Sequence, residues 1–193
     1  MTVIGLTGGI GSGKSTVARV FEAMGCVLYN SDERAKAVYT EPAVKKSIIA
    51  LLGASAYLSD TQIDTSYISS RIFGDAAMLE KVNAIIHPAV KADQARFRAL
   101  QEPDAILVKE TALLFEVGLN REVDLSVLVV APVEIRIERV MRRSRMSRGE
   151  VLKRMGSQWT DERKMSLADK IIMNDGVRPV IPQVASILQA IKA

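Results

Sequence analysis

The sequence predicts an α/β protein: a five-stranded parallel sheet with helices on both faces, an inserted helical subdomain and a helical lid. Three observations predict it. First, a glycine-rich loop, Gly8-Gly9-Ile10-Gly11-Ser12-Gly13-Lys14-Ser15, sits between an apolar run (Val3, Ile4, Leu6) and a helical pattern (Val17, Val20, Phe21, Met24) that Gly25 closes. Second, strand-sized apolar runs recur at residues 26–29, 105–108, 125–130 and 171–173, with helical patterns between them, as in βαβ units. Third, the stretch from Pro42 to about Gln101 is helical, contains no good strand, and is far longer than a plain crossover.

The loop fits G-x-x-x-x-G-K-S, and each residue has a mechanical reason. Gly8, Gly11 and Gly13 allow positive φ, so successive N–H groups can turn inward around an anion. The helix beginning near Lys14 adds its positive dipole end. Lys14 reaches the β- and γ-phosphates, and the Ser15 hydroxyl ligates Mg²⁺. A nucleoside triphosphate with Mg²⁺ is therefore the expected ligand.

Composition bounds the remainder. The chain has 193 residues, 48% of them hydrophobic and 25% charged, as in one globular domain with small insertions. Lys+Arg 26 against Asp+Glu 22 gives +4, which suits an anionic substrate and is no nucleic-acid signature by itself. Cys26 is the single cysteine, which rules out an internal disulfide and points to a reducing, cytoplasmic setting. No targeting signal, membrane span, repeat or low-complexity segment is visible.

After the second strand comes Asn30-Ser31-Asp32 and a helical pattern. Asp32 sits past a strand's carboxyl end, where α/β sheets bind ligands, and reads equally as a general base or a helix N-cap. Residues 42–52 form a helix that stops at Gly53, 63–73 a shorter one, and Asp75 caps a helix bearing Leu79, Val82, Ile85 and Ile86. His87-Pro88 is expected to break that helix, with Pro88 opening the next, which carries Val90, Phe97 and Leu100. His87, the only histidine, reads more readily as a helix-end residue than as a catalyst, and no second His or Cys nearby makes a metal site.

The third strand ends at Lys109-Glu110, which puts Glu110 at the Walker B position, holding Mg²⁺ directly or through water. Leu113-Leu114-Phe115-Glu116 reads as core or as a wall for an apolar part of a substrate. The helix 133–144 carries Ile135, Ile137, Val140 and Met141 and turns basic: Arg136, Arg139, Arg142, Arg143, Arg145, Arg148, Lys153 and Arg154 follow. Ser147-Arg148-Gly149-Glu150 fits a capping box, so a second helix runs to about Gln158. Two helices joined by an arginine-rich turn make a lid. One or two arginines are expected on phosphate and the others on the surface. The turn Asn174-Asp175-Gly176 lies at the last strand's carboxyl end, where a base is read, and the final helix packs Val184, Ile187, Leu188 and Ile191 back on the sheet.

Together these pieces resemble the dephospho-CoA kinase family. The resemblance rests on Thr7-Gly8-Gly9-Ile10-Gly11-Ser12-Gly13-Lys14-Ser15, Asp32, Val82-Asn83-Ala84-Ile85-Ile86-His87-Pro88, Leu113-Leu114-Phe115-Glu116, the lid arginines with Gln158, and Ala168-Asp169 to Gly176. It implies that Asp32 accepts the proton of the ribose 3′-hydroxyl of dephospho-CoA. It implies ATP contacts from Gly9, Gly11, Ser12, Gly13, Lys14, Ser15, Thr16, Arg139 and Arg143, with Asn174 on the adenine. It places Arg71, His87, Leu114, Phe115 and Glu116 on the dephospho-CoA side, and makes Asp32, Lys14 and Arg143 the catalytic set with Mg²⁺ as cofactor. The expected division is a nucleotide core (1–32, 103–135, 165–193), a substrate insertion (33–102) and a lid (136–164). Departures are Asn30, where the family often has Asp, Ala112 for a usual Pro, and Ser144 for a frequent acid. The expected partners are ATP and dephospho-CoA, with no nucleic acid or membrane, in a monomer or weak homo-oligomer. The alternatives are a nucleoside or nucleotide kinase and an RNA-binding module. The last lacks a stacking-aromatic pattern, since aromatics are 5%.

Overall fold

A computed structural model describes residues 1–192. In chain order the elements are β1 (Thr2–Thr7), α1 (Lys14–Ala23), β2 (Val27–Asn30), α2 (Ser31–Val38), α3 (Pro42–Leu52), β3 (Tyr57–Ser59), β4 (Gln62–Ile63), α4 (Thr65–Ile72) and α5 (Ala76–Ala99). Then come β5 (Ile106–Glu110), β6 (Leu125–Val130), α6 (Val133–Ser144), α7 (Arg148–Gly156), α8 (Asp161–Met165), β7 (Lys170–Met173) and α9 (Val180–Lys192). They form two compact units, one of Met1–Ser31 with the chain from Glu102 onward, the other of Asp32–Gln101.

The first unit is built on a parallel sheet in the order β2-β5-β1-β6-β7. Its strands are near-continuous apolar runs because helices cover both faces. β1 is central, and later strands go to either side of it, so the loop after β1 opens at a topological switch point. Ile4, Leu6, Val108, Val127 and Val129 of the sheet bury against Val17 and Phe21 of α1 and Val184, Ile187 and Leu188 of α9. The two helices present those residues at i, i+3, i+4 spacing, which is why they form and why they face inward. A smaller cluster joins Ile137, Val140 and Val151 of α6 and α7 to Ile10 of the glycine-rich loop. Asp169 locks the approach to β7. Its Oδ2 accepts from Ser126 N at 2.8 Å and from Ser126 Oγ, and its own N–H donates to Ser126 Oγ at 3.0 Å.

The second unit packs Val38, Val44, Ile48, Leu52, Ile68, Val82 and Ile86 together. Arg34 of α2 forks onto Asp93 of α5, with Nε 2.8 Å from Oδ2. Three sequence expectations need correction here. Residues 57–63 form a short antiparallel hairpin, β3–β4, in a stretch expected to hold no strand. Consequently α4 starts only at Thr65, capped by the Asp64 side chain, which accepts from Tyr67 N. The expected break at Pro88 is absent: α5 runs for 24 residues straight through it. Val82 and Ile86 before Pro88, and Ala89 and Val90 after it, pack on the same cluster, so burial on both sides holds the helix together. Pro88 forfeits one intrahelical bond, and the carbonyl it would have served belongs to the exposed Ala84. In the first unit, α8 is five residues long, too short for a period to show; its cap is Thr160, accepting from Arg163 N.

Two expected outcomes follow from this packing. Ile48→Ala, at a position with no exposed surface, should cost about 2–5 kcal/mol, read as a lower urea midpoint. Leu58→Ala, 62% exposed, should stay within about 0.5 kcal/mol of the parent. The Ser126 contacts hold the Asp169 carboxyl below its ordinary 3.8. A depressed folded-state value stabilises above the unfolded value and is lost as pH falls through the folded one. Asp169→Asn should therefore lower Tm at neutral pH and flatten the fall of Tm on acidification below the ordinary carboxylate range. An unchanged acid limb in a pH series of melts would remove Asp169 as its source.

Candidate active site

The loop between β1 and α1 turns on Gly11 and Gly13, at φ 80° and 87°. Gly13 is the left-handed residue directly before Lys14, the first residue of α1. Gly8, expected to need positive φ, does not use it. Its constraint is space: a Cβ there would lie 2.6 Å from Ser12 Oγ and from Val129 O. Thr7 Oγ1 and Ser12 Oγ are buried with no protein partner, which leaves polar atoms at the loop for a polar ligand.

Parallel pairing of β1 with β5 sets Glu110 opposite Leu6, at the strand end next to the loop. Glu110 is 3% exposed. Its Oε1 accepts from Ser15 Oγ at 2.7 Å and lies 3.1 Å from Lys14 Nζ. Lys14, Ser15 and Glu110, singled out separately in the sequence, thus share one oxygen. A hydroxyl and a carboxylate are the hard oxygen donors that Mg²⁺ takes. Among the described residues no cluster of three or more His, Cys, Asp or Glu could hold a metal ion alone. Mg²⁺ usually binds through one or two carboxylates plus substrate phosphates, so the donor set fits it.

Other predicted residues fall around the same loop. Asn174 follows β7 and donates Nδ2 to Ser12 O at 2.8 Å, so its amide serves the loop where an adenine contact was expected. Arg139 Nη1 is 3.4 Å from the same carbonyl. Thr16 lies in the first turn of α1 with its N–H on Gly13 O. Arg143 is exposed in the last turn of α6.

In segment 113–116, Leu114 and Phe115 follow the core reading of the apolar run and not the substrate-side placement that the resemblance implies. Leu114 and Phe115 are buried, and Leu114 fills the space a side chain at Gly5 would need. As placed they are core residues. Glu116 Oε1 pairs with Lys164 Nζ at 2.6 Å and accepts from Trp159 N at 3.3 Å, so it anchors the chain around α8.

In the second unit, α5 lines a cavity of about 510 Å³ with Glu80, Asn83, Ala84, His87 and Pro88. These positions recur at helical spacing, so one face of α5 builds that wall. His87 is exposed there, while Arg71, exposed on the last turn of α4, is outside the lining. Asp32 is an exposed residue in the first turn of α2, where a carboxylate suits the helix dipole.

Sequence reasoning named Arg136 and Gln158 without foreseeing their contacts to the loop, and passed over Asp161 and Lys164. Arg136 Nε donates to Ile10 O at 2.9 Å and Nη1 to Asp161 Oδ2 at 2.6 Å. Gln158 Oε1 accepts from Ile10 N at 2.9 Å. A usable signal existed at Arg136: it adjoins Ile137 and stands four residues before Val140, on the buried stripe of α6.

A parallel sheet ordered about a central β1, with a lysine, a serine hydroxyl and a buried acid gathered at the loop that follows, defines a phosphate-loop kinase. The dephospho-CoA kinase family model matches residues 2–179. Curated dephospho-CoA kinases are similar over almost the whole chain. That of Bacteroides fragilis strain YCH46 is 39% identical over 186 residues, 96% of this chain and 90% of the relative. That of Salinibacter ruber is 40% identical over 179 residues, 91% of this chain and 90% of the relative. The chain belongs to the dephospho-CoA kinase family. Among solved structures, TT1252 from Thermus thermophilus superposes with TM-score 0.87 at 30% identity, covering 100% of this chain and 98% of that one. Dephospho-CoA kinase from Campylobacter jejuni shares the fold, with TM-score 0.70 at 22% identity over 98% of this chain and 96% of that one.

Gly13→Ala should weaken binding of a nonhydrolysable ATP analogue at least about tenfold by titration calorimetry. The left-handed turn alone disfavours a side chain by roughly 1–2 kcal/mol, and the methyl would also overlap Asn174 Nδ2. Gly149→Ala, where a Cβ meets nothing within 4 Å, should leave that affinity unchanged.

Proposed function

We propose that the acceptor is the ribose 3′-hydroxyl of dephospho-CoA and that Asp32 is its base. The family's reaction is the ATP-dependent phosphorylation of dephospho-CoA, which completes coenzyme A synthesis and releases ADP. The acceptor reading rests on the family match over residues 2–179, and the observation that carries the triphosphate site is the sharing of Glu110 Oε1 by Lys14 and Ser15 beside the left-handed turn at Gly13.

The residues divide the work as follows. The N–H groups of Gly11, Gly13, Lys14 and Ser15 receive the β- and γ-phosphates, helped by the α1 dipole, while those of Ile10, Ser12 and Thr16 hold the loop to Gln158, Gly9 and Gly13. Lys14 brings a positive charge to the same oxygens. Ser15 and Glu110 are the residues that would hold Mg²⁺. When bound, Mg²⁺ neutralises charge on the transferring phosphoryl oxygens. Asp32 takes the proton as the acceptor oxygen bonds to the γ-phosphorus and the bond to the ADP oxygen breaks. Arg143 and Arg139 meet phosphate charge from α6, and His87 and Arg71 orient dephospho-CoA. Residues 33–102 act as the substrate insertion and 136–164 as the lid. Use of part of the basic run within the protein supports a small-molecule role without nucleic acid: Arg136 is buried, and on the surface Arg148 pairs with Glu134 at 2.7 Å. The proposal includes a cytoplasmic enzyme acting as a monomer or weak homo-oligomer. Among the described residues no helix is long and apolar enough to cross a membrane.

The test is ADP release with ATP and Mg²⁺, offering dephospho-CoA, AMP, dTMP and adenosine as separate acceptors. Turnover is expected with dephospho-CoA alone, and EDTA should abolish it. Asp32→Asn should lower kcat by about 10²–10⁴-fold, the usual contribution of a general base. Turnover with a nucleotide or nucleoside in place of dephospho-CoA would sink the acceptor assignment. Full activity in the Asp32 variant would remove the base.

A further inference from the structure

We propose that Arg136 is a positioning residue for the phosphate loop, setting the peptide plane that aims the Gly11 N–H at the triphosphate. The inference rests on the reading of residues 8–15 as the triphosphate cradle.

Arg136 is 6% exposed on a helix whose other arginines near the C-terminus face solvent. A guanidinium is rarely buried unless it is paired and hydrogen-bonded on its edges. Its contacts run along a planar fork of fixed geometry. Nε donates to Ile10 O at 2.9 Å and Nη1 to Asp161 Oδ2 at 2.6 Å. Nη2 lies against Gly9, where a Cβ would overlap it and come within 2.8 Å of Cζ. The loop can close on this guanidinium only because residue 9 has no side chain.

The consequence lies in the peptide plane. The carbonyl of Ile10 and the N–H of Gly11 belong to one trans peptide, so they point in opposite directions. Holding Ile10 O toward Arg136 turns the Gly11 N–H the other way. The other arm of the loop repeats the device: Ser12 O is held by Asn174 Nδ2 at 2.8 Å and by Arg139 Nη1 at 3.4 Å, which orients the Gly13 N–H. Ile10 is gripped on both its polar groups, since its own N–H donates to Gln158 at 2.9 Å. A free peptide at Ile10–Gly11 would be able to rotate and present a carbonyl to the phosphate. Arg136 removes that option, and Asp161 keeps Arg136 in register.

The test compares Arg136→Ala and Arg136→Lys with Lys14→Ala as reference, reading ATP-analogue affinity, KM for each substrate and Tm. A lysine keeps a cation near Asp161 and loses the fork. Arg136→Ala should weaken ATP binding and raise the KM for MgATP about tenfold, with the KM for dephospho-CoA unchanged. Arg136→Lys should fall between, with Tm near that of the parent. If the alanine variant does not fold, the lysine variant decides, because a residue needed only for folding would not shift ATP affinity selectively in a folded protein. Unchanged ATP affinity in every folded Arg136 variant, with Lys14→Ala impaired, overturns the positioning role and leaves the cradle intact. Unchanged ATP affinity in Lys14→Ala overturns the cradle reading and this inference with it.

Discussion

A loop that wraps polyphosphate must point N–H groups inward, and it must then find donors for the carbonyls it turns outward. Buried carbonyls without donors are costly, and carbonyls aimed inward would repel the ligand. Here four of the loop's carbonyls have a partner. Gly9 O takes Ser12 N, Gly13 O takes the N–H groups of Thr16 and Val17, Ile10 O takes Arg136, and Ser12 O takes Asn174. The first two partners are local and come with the motif itself. The last two stand 126 and 162 residues away in sequence. The loop's shape is therefore a property of the whole first unit: β6, α6 and β7 must be in place before the glycines are held in a binding conformation.

The same unit solves a second problem at Glu110. A carboxylate at the end of a central strand, 3% exposed, would be unstable there without a partner. Lys14 and Ser15 supply charge and hydrogen bond, and both lie at the N-terminal end of α1, where the dipole also favours an anion. In the proposed function these compensating groups are also the reacting ones. With nucleotide bound, Lys14 would turn its charge to phosphate, and the Ser15 hydroxyl and Glu110 would together hold Mg²⁺. The acid keeps the loop's cation close to its working position before nucleotide arrives.

What was legible in the sequence follows from how local each cause is. The parallel strands were legible because burial on both faces writes them as apolar runs, and the loop because its conformation requires glycine at fixed spacing. Glu110 was legible from its place at a strand end. The continuity of α5 was not: the local rule at Pro88 is sound, and it was overridden by Val82, Ile86, Ala89 and Val90 packing on one cluster. The hairpin at 57–63 is only three and two residues per strand, too short for a period to show. Leu114 and Phe115 were read two ways because an apolar run tells of burial and cannot say what it is buried against. Lys164 drew no reading at all, and Arg136 stood in a basic run expected mostly at the surface, where such residues nearly always are. Their partners, Glu116 and Asp161, are brought to them only by the tertiary fold.

Arg136 and Arg143 stand two helical turns apart on α6, and residue type does not separate them. Neighbours do. Arg136 is flanked by Ile137 and reached by Asp161, so its charge is spent inside the protein on one carbonyl and one carboxylate. Arg143 lies in the solvent-exposed last turn of α6. The fixed points of the region are Gln158 on Ile10, Asp161 on Arg136 and Lys164 on Glu116, which tie the chain after α7 to the glycine-rich loop, to α6 and to the segment after β5. A basic run that looks uniform in sequence thus holds two kinds of arginine: Arg136, turned inward onto the loop, and Arg142 and Arg143, left in solvent, where the proposed function has Arg143 meet phosphate.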